Sequence, residues 1–250
     1  LQQEPQPVSR MSCGFSLNQD PMRHLLPASL SLLLLPAIAG GQIYEHPNFS
    51  LNSHPTLEIL SVERWEDQMV VNLSLKNERY SGSFCIDSNT VLKNSLGKEE
   101  YPLVSMEGIP ACPEEYRFIS VGEKIRFSLV FEPVPDDVKY IDLLENCREN
   151  CVSIKYILLD EDLNSRIYQG VSLYAIGKPA AALRVFEDIL DKDYDGISPV
   201  FGTVYLYLIS IHYEMGNSKE ARRVYRELQE SGIIGLEEFL ETARETGLVR

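Results

Sequence analysis

Cys85, Cys112, Cys147 and Cys151 are the side chains best suited to covalent chemistry in this chain. An even set of cysteines pairs as disulfides in an oxidising compartment, or closes a tetrahedral zinc site as thiolates. Only one pair is close in sequence and exported thiols oxidise, which favours Cys147 with Cys151 in a small local loop and Cys85 with Cys112 across neighbouring strands. A dithiol oxidoreductase is disfavoured, because the close pair is C-x₃-C and no βαβ pattern surrounds it. A second cluster, Asp191-Lys192-Asp193-Tyr194-Asp195-Gly196, sets aspartates at alternate positions before a glycine. Asp191, Asp193 and Asp195 could converge on a calcium ion. The twelfth position of such a loop needs a bidentate Glu and here is Gly202, so a solvated acidic loop is the competing reading. Catalytic patterns are sparse. His24, His46 and His54 precede the folded elements, His212 stands alone on a helical stretch, and no Ser or Cys nucleophile motif accompanies it.

The elements that must carry these residues divide into two kinds. From residue 164 to 228 the apolar period is helical: Ile167, Val171 and Tyr174, then Ala182, Phe186 and Ile189, then Leu206, Ile209 and Tyr213, then Ala221, Tyr225 and Leu228. Two matching phrases punctuate this region, Gly177 with Ala182 and Phe186, and Gly216 with Ala221 and Tyr225. In each, the Gly ends one helix, and the small Ala four residues before an aromatic lets the next helix pack closely.

These phrases resemble the tetratricopeptide repeat, whose pattern carries that Gly, Ala and aromatic at the same offsets. The departures are Arg166 and Gln169 where the family places a large aromatic and Leu, and a spacing of 39 residues between Gly177 and Gly216 against a family period of about 34. The resemblance implies an all-α stack over 163–250, capped by a further helix near Leu236–Ala243. It also implies a partner-binding concave face made of Asn164, Ile167, Val171, Tyr174, Thr203, Leu206, Ser210, Tyr213 and Glu214. Packing against the preceding domain is the other reading for Ile167, Val171 and Leu206.

Upstream, the period changes to two. Met69, Val71, Leu73 and Leu75 alternate with polar or outward residues, as do Ile125, Phe127, Leu129 and Phe131. Further strands are expected at 57–62, 83–86, 101–106, 116–120, 139–142 and 152–159. Seven or eight short strands separated by Gly and Pro turns predict an antiparallel β-sandwich of immunoglobulin-like size over 56–162. The stretch 127–145 is similar to segments of exported bacterial sandwich domains of unknown role.

Before these lies a secretory pattern. Met22-Arg23-His24 precedes an apolar run with Leu30–Leu35, followed by Ala37-Ile38-Ala39, which predicts a cleavable signal over 22–39, an upstream leader over 1–21 and a linker over 40–55. An uncleaved membrane anchor is the alternative. The net charge of -14 is concentrated ahead of the helices: residues 40–163 hold 22 of the 37 acidic side chains but only 11 of the 23 basic ones. That surface disfavours nucleic acid and anionic lipid, and no Gly-rich phosphate loop implies a nucleotide.

The expectation is an exported, periplasmic or extracellular α+β protein of two domains. It would be non-catalytic, without a cofactor, touching a membrane only through its signal, and holding a protein partner of an envelope complex in the helical groove. A carbohydrate- or calcium-dependent binding module in the β domain is the alternative, and a hydrolase with a carboxylate pair is a third.

Overall fold

The computed structural model describes residues 41–147 and 151–247. The leader and signal expected over 1–39, Cys13 among them, lie outside the described residues. The strands are β1 (Gln42–Glu45), β2 (Leu51–Asn52), β3 (Leu57–Arg64), β4 (Met69–Lys76), β5 (Ser83–Phe84), β6 (Val91–Asn94), β7 (Glu100–Glu107), β8 (Tyr116–Arg117), β9 (Lys124–Phe131), β10 (Tyr140–Leu144) and β11 (Ser153–Leu158). The helices are α1 (Glu161–Ala175), α2 (Pro179–Asp193), α3 (Val200–Glu214), α4 (Ser218–Glu230) and α5 (Leu236–Glu245). All described residues fall in one compact unit.

The α+β arrangement holds, but the sandwich does not. Among the described residues nine strands form one antiparallel sheet in the order β1-β3-β4-β9-β7-β6-β10-β11-β2, and β5 and β8 pair apart from it. Strand β7 is the physical reason. Its first part, through Pro102, pairs with β6, Tyr101 opposite Leu92, and from Leu103 onward it pairs with β9, Met106 opposite Leu129, with an irregularity between Leu103 and Ser105. Two would-be layers therefore share a strand and remain one sheet. The sheet curls over its own inner face, so Val62, Val71 and Leu129 from one wing join Ile141, Leu143 and Ile154 from the other in a single core. Alternation specifies a buried face; it does not specify whether a second sheet or the same sheet covers it.

Strands β10 and β11 are buried on both faces. Ile141 and Ile157 enter the sheet core, whereas Tyr140 and its register partner Leu158 belong to the helical core. Between the pairs Ile141–Ile157 and Leu143–Ile154, Lys155 and Tyr156 stand against Asp142 alone, a bulge in which Tyr156 takes a positive φ of 59°. Asp142 Oδ1 accepts from Tyr156 N at 2.8 Å and from Ser95 Oγ at 2.7 Å, which satisfies the irregular backbone.

Helix α1 begins on Asp160, whose side chain accepts from Leu163 N at 3.0 Å, with Glu161 and Asp162 in the first turn favouring the positive end of the helix dipole. It closes on Gly177, and α3 closes on Gly216, at φ of 72° and 77°, a conformation that suits a residue without a Cβ. Helix α1 packs on α2, α3 on α4, and α5 covers α3 and α4. Ala182 and Ala221 are wholly buried at these crossings. Among the described residues no helix is long and apolar enough to cross a membrane.

Candidate functional site

The face formed by α1 and α3 divides into two parts. At the end nearer the sheet, Asn164 is buried and its Oδ1 accepts from Asn48 N at 2.8 Å and Asn48 Nδ2 at 2.9 Å, while its own Nδ2 donates to Leu158 O at 2.9 Å. Thr203 Oγ1 donates to Ser50 Oγ at 3.3 Å. Ile167 is fully buried in the helical core beside Tyr140 and Leu158 of the sheet. The chain's own segment around residues 48–50 thus occupies this end, and Asn164, Ile167 and Thr203 hold helix to sheet.

The far end stays open. Tyr174 from α1 is half-buried, its hydroxyl 3.2 Å from Ser210 Oγ and hydrogen-bonded to the Glu214 carboxylate, both on α3. Burial, and then the hydrogen bond to Glu214, push the Tyr174 phenol upward. Tyr207 lies beneath, edge-on to Tyr174 at 5.9 Å between ring centroids and stacked on Phe186 at 5.1 Å. Val171, Leu206 and Tyr213 are partly buried against the same core. Ile176 and Met215, each just before its helix-ending glycine, are 64% and 40% exposed. Of the expected groove residues, Val171, Tyr174, Ser210, Tyr213 and Glu214 therefore lie at or beside this open end.

The acidic loop does not gather its carboxylates. Asp191 is exposed, Asp193 Oδ2 accepts from Arg166 at 2.6 Å, and Asp195 caps its own turn, accepting from Ile197 N at 3.0 Å, Ser198 N at 2.8 Å and Ser198 Oγ at 2.5 Å. Among the described residues no group of three or more His, Cys, Asp or Glu side chains is placed to hold a metal ion. His212 is buried in the helical layer, where its Nδ1 has no hydrogen-bond partner among the described residues.

The cysteines are bonded as Cys85 with Cys112 and Cys147 with Cys151. Both bridges border a cleft of about 1020 Å³ whose walls include His54, Phe84, Phe118 and Arg79. His54 packs edge-on against Phe84 at 5.5 Å, its Nδ1 is 3.2 Å from Thr56 Oγ1, and burial lowers its pKa. The Glu145 carboxylate at this cleft accepts from Asp87 N at 2.7 Å and Val152 N at 2.8 Å, so it serves the backbone.

Sequence reasoning gave no site role to Asn48, Ser50, Tyr207, Ile176 or Met215. Asn48 and Ser50 sit in a polar Asn-Phe-Ser phrase that gives no local sign of a partner 116 residues away. Ile176 and Met215 were findable as the apolar residues preceding the two marker glycines. No family model, no curated protein and no solved structure matches this chain.

Proposed function

We propose that the chain is a non-catalytic exported adaptor that grips a protein partner at the open end of its helical face. The observation that supports this reading is the convergence of Tyr174, Ser210 and Glu214 from two helices at the surface, flanked by exposed Ile176 and Met215. Tyrosine offers a large ring and a polar tip at small entropic cost, and its hydroxyl is already fixed by Ser210 and Glu214. The fitting occupant is a protein segment that sets an apolar side chain between Ile176 and Met215 and a hydrogen-bond donor or cation toward Glu214. The helix pairs α1–α2 and α3–α4 act on this proposal as tetratricopeptide-like hairpins. Export through a cleaved segment at 22–39 agrees with two disulfides in a chain of this kind.

The test is affinity capture from the native envelope, identification of the recovered protein, and measurement of its affinity for variants. Ile176→Ser and Met215→Ser change exposed side chains, so melting should be unaltered while each weakens the complex by about 1–2 kcal/mol. Undiminished affinity in both would remove this face as the binding site. A second reading, a small-ligand module in the β domain, rests on the cleft beside His54 and Phe84. Ligand-dependent stabilisation lost in Phe84→Ala, with partner capture intact, would favour it.

A further inference from the structure

The cleft of about 1020 Å³ beside the two disulfides is walled by residues 53–56, by residues 75–85, and by the bridges together with Glu115 and Phe118. Its walls are fixed before any ligand arrives. Asn77, itself buried, donates from Nδ2 to Arg79 O and Ser120 O, each at 2.8 Å, and its Oδ1 accepts from Arg79 N at 3.1 Å. These bonds set the loop that carries Arg79 and Tyr80. Phe84 adjoins Cys85, whose bridge to Cys112 ties one wall to the next. The Phe84 ring is braced by His54, edge-on at 5.5 Å, and by Phe127 at 6.1 Å.

The chemistry of the walls is mixed in kind and nearly balanced in charge. Two of the rings keep exposed surface: Phe84 is half-buried and Tyr80 is 93% exposed. Lys76 and Glu78 pair at 3.7 Å, and the Glu145 carboxylate is taken up by the backbone N–H groups of Asp87 and Val152. That leaves Arg79 and Glu115, one cation and one anion. Both are exposed, and their side chains make no hydrogen bond or ion pair among the described residues. Burial lowers the His54 pKa, so at neutral pH its imidazole is an uncharged hydrogen-bonding group. The hydroxyls of Ser81 and Ser83 are exposed in the same wall. An ionic ligand would meet either Arg79 or Glu115 as a like charge. A hydrocarbon ligand would cover the polar groups of the walls without giving them partners.

We propose that this cleft binds a neutral oligosaccharide: Tyr80 and Phe84 stack on sugar faces while Arg79, Glu115 and His54 hydrogen-bond to sugar hydroxyls. A sugar ring is apolar on its C–H face and hydroxylated at its rim, and each hydroxyl both donates and accepts. One uncharged ligand can therefore donate to Glu115 and accept from Arg79 while it covers both rings. The volume lies at the upper end for a small-molecule site, which suits an oligosaccharide better than a single sugar. A zwitterionic peptide is the competing match to two opposite charges. Ion pairs at exposed groups contribute little in water, whereas ring contacts keep their worth there, so the rings favour the sugar. This inference rests on the small-ligand reading of the cleft and is independent of the helical face.

The test probes the full chain on an array of neutral oligosaccharides set beside uronic-acid and sialylated ones, then titrates a retained neutral oligosaccharide by calorimetry. Neutral glycans should be retained, and charged ones should bind no more tightly. Tyr80→Ala and Arg79→Gln alter exposed side chains, so both should melt as the parent does while each weakens the retained oligosaccharide about tenfold. An array with no neutral glycan retained, retention of charged glycans alone, or equal affinity in Tyr80→Ala would overturn the proposal. A dipeptide library run in parallel separates this failure from that of the cleft itself. Dipeptides that stabilise the parent but not Tyr80→Ala, with an empty array, would keep the cleft as a ligand site and remove the sugar. An empty array with no stabilisation by dipeptides would remove both.

Discussion

Asn164 is where a single amide joins the two kinds of structure in this molecule. It accepts from the Asn48 backbone and side chain and donates to the carbonyl of Leu158, so its removal leaves buried donors and an acceptor without partners. Asn164→Ala should lower stability by about 2–4 kcal/mol, read as a urea midpoint shift at constant slope, with partner affinity unchanged. An unshifted midpoint would mean that water satisfies the contact equally well. Asp195 makes a smaller contribution that depends on pH. Burial would raise its carboxyl, but hydrogen bonds from Ser198 and Ile197 outweigh burial and hold it below the usual carboxylate range. A depressed folded value stabilises above the unfolded pKa of about 3.9 and is lost as pH falls through the folded value. The turn faces water, which screens the effect, so Asp195→Ala should cost no more than roughly 1 kcal/mol near neutrality. The gap between variant and parent should close below about pH 4.

At the scale of elements, the helices were legible because their closing glycines and buried alanines are local marks, yet two further glycines carried no such mark. Gly170 sits in α1 under the ring of Phe186, and Gly202 in α3 under the ring of Phe239; an added Cβ would meet those rings at 2.7 Å and 2.4 Å. On helix propensity alone Gly→Ala should stabilise by roughly 1 kcal/mol. Overpacking against a fixed ring reverses the sign, so Gly170→Ala and Gly202→Ala should each destabilise by about 1–3 kcal/mol in urea titrations. A stabilised variant would place the ring elsewhere. The strands show the same division between local and distant information. The long alternations of β4 and β9 were readable, whereas β1 and β2 hide in the Pro- and Asn-rich 40–55 stretch because each is short, and β2 gains its partner β11 from far along the chain. The curl of the sheet was unreadable for a related reason. It depends on β7 changing partners between Pro102 and Leu103, and the residues of β7 do not say which strand each part will meet.

For the whole molecule, the candidate site follows that pattern: the helical face could be read from its period, but its partial cover by residues 48–50 could not, since a polar triplet matches Asn164 only through the assembled fold. The same long-range closure ties sheet and helices into one unit, and three tyrosines give a way to test how tightly. Tyr140 on β10, Tyr156 on the β11 bulge and Tyr205 on α3 are all buried, and burial pushes each phenol to about 12. The neighbouring Tyr194 and Glu227 add to the effect of burial at Tyr205, as Glu238 and Asp142 do at Tyr156. At Tyr140 a hydrogen bond with Ser198 offsets part of it. A raised folded value means that the folded state keeps its proton more tightly than the unfolded chain, whose tyrosines ionise at about 10. The stability this contributes is complete below about pH 10 and is lost as pH rises through about 12. Tyr140 belongs to the helical core although its strand belongs to the sheet, so its ionisation strikes both layers together. In an alkaline titration the late, steep rise in phenolate absorbance should therefore coincide with loss of both helical and sheet ellipticity. Tyr140→Phe removes one of the three ionising groups and should move that transition to higher pH. Helical signal lost well before sheet signal would show that the two layers unfold separately and that the Tyr140–Leu158 boundary does not couple them.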